Sequence, residues 1–151
     1  MGILETVSKV NITEDLWNEA IEEHSVVTDV FDDVTFYRVV KRVGQLSRGT
    51  VISDAEIIFD FPRIARILQL ENGIKLTFAN PFYVEEKVDG YNVRIAKIEG
   101  RVFAFTRGSY VCPFSTDRLV DFFNIDKFFD ENPELIVCGE IAGPENPYNK
   151  E

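Results

Sequence analysis

The stretch Lys87-Val88-Asp89-Gly90-Tyr91-Asn92-Val93-Arg94-Ile95-Ala96-Lys97-Ile98-Glu99-Gly100-Arg101-Val102-Phe103-Ala104-Phe105-Thr106 decides the fold class. Runs of β-branched and aromatic residues are broken by Asp89-Gly90, a preferred two-residue hairpin turn, and by Glu99-Gly100, a workable one. Extended back to Phe82, the pattern predicts a three-stranded meander over Phe82–Val88, Tyr91–Ile98 and Arg101–Thr106. The first turn sets Lys87 opposite Asn92 and Glu85 opposite Arg94; the second sets Val93 opposite Thr106 and Asn92 opposite Arg107. Lys87, Asn92 and Arg107 then form one row, on the face of Glu85, Arg94 and Phe105. Val84, Val88, Val93, Ile95 and Ala104 make the core face. A slip of one residue would push that apolar set into water, which favours this register.

An amine, an amide and a guanidinium in one row suit a nucleoside phosphate, with Lys87 as nucleophile and Asn92 and Arg107 as donors to phosphate or ribose oxygens. The same residues also fit a solvated charge ladder of Glu85, Lys87 and Arg94 on an exposed sheet face, and both readings stand at this point.

Upstream, Thr13 followed by Glu14 and Asp15 predicts a capped helix whose apolar stripe of Leu16, Trp17, Ala20 and Ile21 runs to about His24. His24, without a partner at ligand spacing, reads as a surface residue near the helix end. Thr35–Val43 and Gly49–Phe59 predict a hairpin. Pro62 opens a short helix through Leu70, and Glu71-Asn72-Gly73 turns into a strand over Ile74–Phe78. Downstream, Ser115 or Thr116 caps a short helix carrying Leu119, Phe122 and Phe123. Phe128 and Phe129 read as core, and Glu134–Ile141 as a last strand.

The 151 residues, 45% hydrophobic with 13 Phe, suffice for one sizeable core. No apolar run reaches the ~18 residues of a membrane span, and Met1–Val10 lacks a basic segment followed by an apolar one, so a cytoplasmic protein without membrane partners is expected. Cys112 and Cys138 lack metal-ligand spacing and read as two buried thiols. A net charge of -10 argues against a role in coating nucleic acid. One stretch departs from this: Val34–Ser53 carries Arg38, Lys41, Arg42 and Arg48 and no acid. It is either a phosphate-facing patch or a basic strand edge kept from pairing.

The lysine motif, then Thr106-Arg107-Gly108, then Val137-Cys138-Gly139-Glu140-Ile141 resemble, in order and spacing, the covalent nucleotidyltransferase superfamily of DNA ligases, RNA ligases and mRNA capping enzymes. Glu85-Glu86-Lys87-Val88-Asp89-Gly90-Tyr91-Asn92 is most similar to the archaeal homodimeric ATP-dependent RNA ligases. The resemblance spans roughly Phe82 to Tyr148. It implies an α+β fold: a twisted, mainly antiparallel sheet with short helices, forming part of a ligase-type, ATP-grasp-like nucleotidyltransferase domain over residues 81–151 behind an N-terminal extension over 1–80.

The resemblance further implies that Lys87 takes AMP from ATP and that Glu86 borders the adenine. Asn92 and Arg107 contact the nucleotide or the RNA end, and Glu140 bonds the ribose. The implied activity is RNA ligation, joining a 5′-phosphate to a 3′-hydroxyl with ATP and Mg²⁺, in a homodimer acting on RNA ends. Arginine stands five residues after the lysine in DNA ligases and capping enzymes; Asn92 stands there here, favouring RNA. A DNA ligase, a capping guanylyltransferase and a noncatalytic nucleotide- or RNA-binding module are the alternatives. The family's metal-binding strand and its final lysines would follow Glu151, which implies an N-terminal fragment, inactive alone, with no metal ligands of its own. A lysine attacks only when neutral, about one part in a thousand near neutral pH. Glu85, Glu86 and Asp89 oppose that state, so missing cations are implied.

Overall fold

The computed structural model describes residues 2–62, 71, 73, 75, 83, 85–121 and 124–143. Among them, helices, a sheet, a second sheet and further helices stack in four layers, so the expected α+β fold with antiparallel sheets and short helices is borne out. The first layer holds α1 (Ile3–Ser8), which sequence reading missed because six residues are too few for a helical period, and α2 (Glu14–Glu22). Thr13 caps α2 as expected, accepting from Leu16 N at 3.3 Å, and Trp17 and Ala20 are buried. His24 is exposed just past the helix, at φ 54.

The first sheet has the order β1 (Val26–Phe31), β2 (Val34–Val39), β3 (Val51–Ile52), β4 (Ile57–Ile58), with antiparallel neighbours. The predicted hairpin is found in part. β2 pairs with β3, but its second arm breaks at Ser53, whose Oγ accepts from Ala55 N at 3.2 Å and Glu56 N at 3.0 Å. β1, the other partner of β2, was not anticipated; Asp32 and Asp33 form its turn at φ 47 and 67, the left-handed pair that a tight hairpin demands. The predicted turn and strand after residue 70 are overturned where they can be seen: Glu71, Gly73 and Lys75 are helical, with Lys75 Nζ 2.7 Å from Glu71 Oε1 on adjacent turns. The rest of those predicted elements lies outside the described residues.

The second sheet has the order β6 (Arg101–Thr106), β5 (Tyr91–Ile98), β7 (Val137–Ile141). The β5–β6 register is the expected one, Val93 opposite Thr106 through Ile98 opposite Arg101. On the other edge, β7 takes the place predicted for Phe82–Val88, so Asn92 lies opposite Glu140, not Lys87, and Arg94 lies opposite Cys138, not Glu85. Residues 85–90 form no strand, and Val88 is 56% exposed rather than core. Burial decides this competition. β7 and the residue before it bring Val137 and Ile136 into the apolar clusters on either side of the sheet, whereas Tyr83 and Val88, the described apolar residues of the predicted strand, are both exposed.

Three apolar layers hold the stack. Trp17, Ala20, Val39 and Ile52 join the first helices to the first sheet, and Val34, Phe36, Val51 and Ile58 meet Ala96, Ile98, Phe103 and Phe105 between the sheets. Ala104, Leu119, Ile125 and Phe129 join the second sheet to α3 (Pro113–Arg118), a following 3₁₀ turn (Leu119–Asp121) and α4 (Ile125–Glu131). From Arg94 and Phe105 onward that face is therefore buried between the sheets rather than solvated, with Asn92 half-buried at its end, and the charge-ladder reading fails at Arg94. Phe129 is core as expected.

Two cap assignments change. α3 starts at Pro113, whose fixed φ suits a first helical position, while Ser115 inside it donates to Cys112 Sγ at 3.2 Å and Thr116 Oγ1 accepts from Ala104 N at 3.1 Å. Asn124 caps α4, which was not anticipated. Phe122 and Phe123 lie outside the described residues. Cys112 is buried as expected, Cys138 is exposed, and neither is in a disulfide. No helix among the described residues is long and apolar enough to cross a membrane.

Candidate active site and an adjoining cleft

Pairing of β5 with β7 brings three motif residues to one point. Glu140 Oε1 lies 3.5 Å from Lys87 Nζ and 3.5 Å from Asn92 Nδ2, although Glu140 is 48 residues from Asn92 in sequence. Lys87 also donates to Val88 O at 3.2 Å, and 78% of its side chain is open to solvent. The predicted row is thus replaced by a triangle in which Glu140, not Lys87, lies opposite Asn92, and Lys87 reaches Glu140 from its loop. Gly90 makes the approach possible. A Cβ there would stand 2.7 Å from Ile141 O and 3.3 Å from Glu140 Cβ, so only glycine lets the lysine loop pass the end of β7. Glu86 is exposed beside Lys87.

One step inward on the same face, Arg94 is fully buried. Its Nη1 donates to Phe59 O at 2.6 Å, and its Nη2 donates to Gly49 O at 2.8 Å and Ser109 Oγ at 3.1 Å; Ser109 in turn donates to Gly49 O at 2.6 Å. Gly49 is held at φ 99, and a Cβ on it would meet Asp60 Cγ at 2.6 Å. Burial lowers the Arg94 pKa, against the pull of Asp60 and Cys138, and partial desolvation of the sulfur raises the Cys138 thiol despite Arg94, although the residue as a whole is exposed. A guanidinium stays charged under such a shift. Arg94 therefore clamps the first sheet to the loop after β6, a role sequence reading missed. The signal lay in Ala96, Ile98, Phe103 and Phe105, which share its face and mark it as buried.

Arg107 sits past the end of β6, in a turn where Thr106 N donates to Tyr110 O at 2.8 Å and Tyr110 N donates to Thr106 Oγ1 at 3.2 Å. Val93 opposite Thr106 and Tyr91 opposite Ile141 put this turn, Asn92, Glu140 and the lysine loop at the same end of the sheet. A cleft of about 540 Å³ opens between the turn and the first sheet, walled by Arg38, Arg48, Gly49, Asp60, Arg107 and Tyr110 among others. Arg38 lies on an internal strand, between β1 and β3, so the edge-protection reading of the basic stretch does not apply to it.

Lys87 and Glu140, from motifs far apart in sequence, thus meet at one end of the sheet, with the turn that carries Arg107 at that same end. Residues 80–151 match the family model for RNA ligase. Two solved structures of an archaeal ATP-dependent RNA ligase are 35% identical, with TM-scores of 0.80 and 0.79, over 91% and 92% of this chain and 38% of theirs. A chain of Aquifex aeolicus provisionally named an ATP-dependent DNA ligase is 42% identical with a TM-score of 0.80, over 92% of this chain and 38% of its own. An uncharacterised protein of Methanocaldococcus jannaschii is 33% identical over 143 residues, 93% of this chain and 36% of the relative. The likeness to ATP-dependent RNA ligases and the ligase-type fold are borne out, and the chain spans little more than a third of the length of these relatives.

Proposed function

We propose that these residues supply the nucleotide-accepting part of an ATP-dependent RNA ligase in which Lys87 is the nucleophile. The observation that carries this reading is the meeting of Lys87, Asn92 and Glu140 around one carboxylate oxygen. Lys87 Nζ, having lost a proton, attacks the α-phosphorus of ATP; a nitrogen–phosphorus bond forms, the α–β anhydride breaks and pyrophosphate leaves. An RNA 5′-phosphate oxygen then attacks that phosphorus and returns the amine to Lys87. Finally a 3′-hydroxyl attacks the activated 5′-phosphate, forming the phosphodiester and releasing AMP. Glu140 exchanges the Lys87 ammonium for the ribose hydroxyls, Asn92 orients Glu140 by its amide, Glu86 borders the adenine, and Arg107 meets phosphate at the mouth of the site.

Mg²⁺ bound to the triphosphate would neutralise its charge and help pyrophosphate leave. A homodimer in the cytoplasm acting on RNA ends is the context proposed for the whole protein. DNA joining is the second reading, because one similar structure is provisionally named a DNA ligase.

In a chain of the relatives' length, ATP and Mg²⁺ should add the mass of one AMP to the peptide holding Lys87. Lys87→Ala and Lys87→Arg should both abolish the adduct, since a guanidinium does not lose its proton. An adduct that persists in Lys87→Ala would overturn the assignment. Joining of nicked DNA in preference to RNA ends would favour the second reading.

A further inference from the structure

The cleft between the sheets shares only Arg107 with the proposed adenylation site, yet it gathers cations in a chain of net charge -10. Two of the guanidiniums around it are balanced: Arg38 is paired with Asp29, and Arg94, beneath the wall, feels Asp60. Arg48 and Arg107 are exposed on its rim, and among the described residues neither has an ion pair or hydrogen bond. Two free cations on its rim, one from the turn before β3 and one from the turn after β6, match an extended polyanion better than a single small ion.

Tyr110 adds a second chemistry. Its ring is 55% exposed and stands on the Arg38 guanidinium, 3.7 Å from its centroid, while Arg38 is itself held by Asp29. The ring is therefore fixed in orientation while more than half open to solvent, as a stacking platform requires. A Cβ on Gly108 would come within 3.3 Å of Tyr110 Cδ2, so the glycine leaves the ring its place. An aromatic platform between cations is the arrangement that holds single-stranded nucleic acid, bases on the ring and phosphates on the guanidiniums.

We propose that this cleft binds a single-stranded segment of the RNA substrate, with Arg48 and Arg107 on successive phosphodiesters and a base on Tyr110. The inference rests on the ligase reading and deepens it. The turn that walls the cleft lies at the end of the second sheet where Lys87 and Glu140 sit, so a strand lying across it leads its end toward the nucleophile.

The test is equilibrium binding of a fluorescent single-stranded oligoribonucleotide, without ATP, across a series of salt concentrations. Arg48→Gln should weaken binding about fivefold and lower the magnitude of the salt slope by about one, as loss of one phosphate contact does. Tyr110→Leu should weaken it at least about fivefold with the slope unchanged, as loss of stacking does. Both side chains are exposed, so the variants should fold. Lys127→Gln, on an exposed face of α4, should bind as the unaltered chain does. Equal binding by all four proteins, or displacement of the RNA by a polyglutamate peptide as readily as by unlabelled RNA, would overturn the proposal. Failure of the ligase reading shows separately, as absence of the AMP adduct in an assay that contains no RNA.

Discussion

Gly90 shows how a single residue serves the site through what it lacks. The Asp89-Gly90 pair reads as a hairpin turn, yet Gly90 is needed because Ile141 O and Glu140 Cβ occupy the space a side chain would fill. Gly90→Ala should push the lysine loop from β7. Since a misplacement of 1 Å at a reacting centre costs roughly a hundredfold, adduct formation should fall by about tenfold to a hundredfold. An unchanged single-turnover rate would show that the loop closes on the nucleotide independently of β7. Arg94 is the opposite case, a residue that serves by what it touches. Arg94→Met would leave Phe59 O without its donor and strip one of two donors from Gly49 O, which keeps Ser109 Oγ, and denaturant titration should show a loss of about 2–3 kcal/mol. Arg94→Lys should recover only part of this, because an ammonium cannot span the three acceptors as a planar fork does.

Among the elements, β5 is the axis of the second sheet. It is paired on both edges and buried on both faces by Val93, Arg94, Ala96 and Ile98, whereas 85–90 has no strand partner among the described residues. Its amides should exchange with solvent at the slowest rates in the chain, and those of residues 86–90 orders of magnitude faster. Comparable protection in the two segments would restore the three-stranded meander. A nucleophile on a loop rather than a strand also has physical sense. In the proposed mechanism Lys87 leaves Glu140, attacks a phosphorus and later releases it, and a loop tolerates that excursion where a ladder does not.

The whole molecule is held by the layer between the sheets. Phe36 packs edge-on to Phe103 at 5.3 Å and to Phe105 at 5.5 Å between ring centroids, joining residues nearly 70 positions apart. Phe36→Ala should cost about 3–5 kcal/mol. If this layer and the Arg94 clamp couple the halves, fluorescence of Trp17 in the first layer and far-ultraviolet dichroism should report one coincident unfolding transition. Two separated transitions would show the sheets to be independent units.

Sequence alone settled what local pattern encodes. The Thr13 cap follows from one hydroxyl placed before a helical stripe, the β5–β6 hairpin from alternation around Glu99-Gly100, and the motif order from residues read in line. These features depend on neighbours within a few positions, where chemistry and spacing are visible in the chain. The tertiary structure decided which strand took the free edge of β5, and with it which residue faces Asn92. That choice turned on apolar surface carried by a segment some fifty residues away, which outweighed a good local turn at Asp89-Gly90. It also decided that Arg94 is a buried clamp, and that Arg38, Arg48, Arg107 and Tyr110 wall one cleft, because burial and proximity arise only when two sheets close on each other.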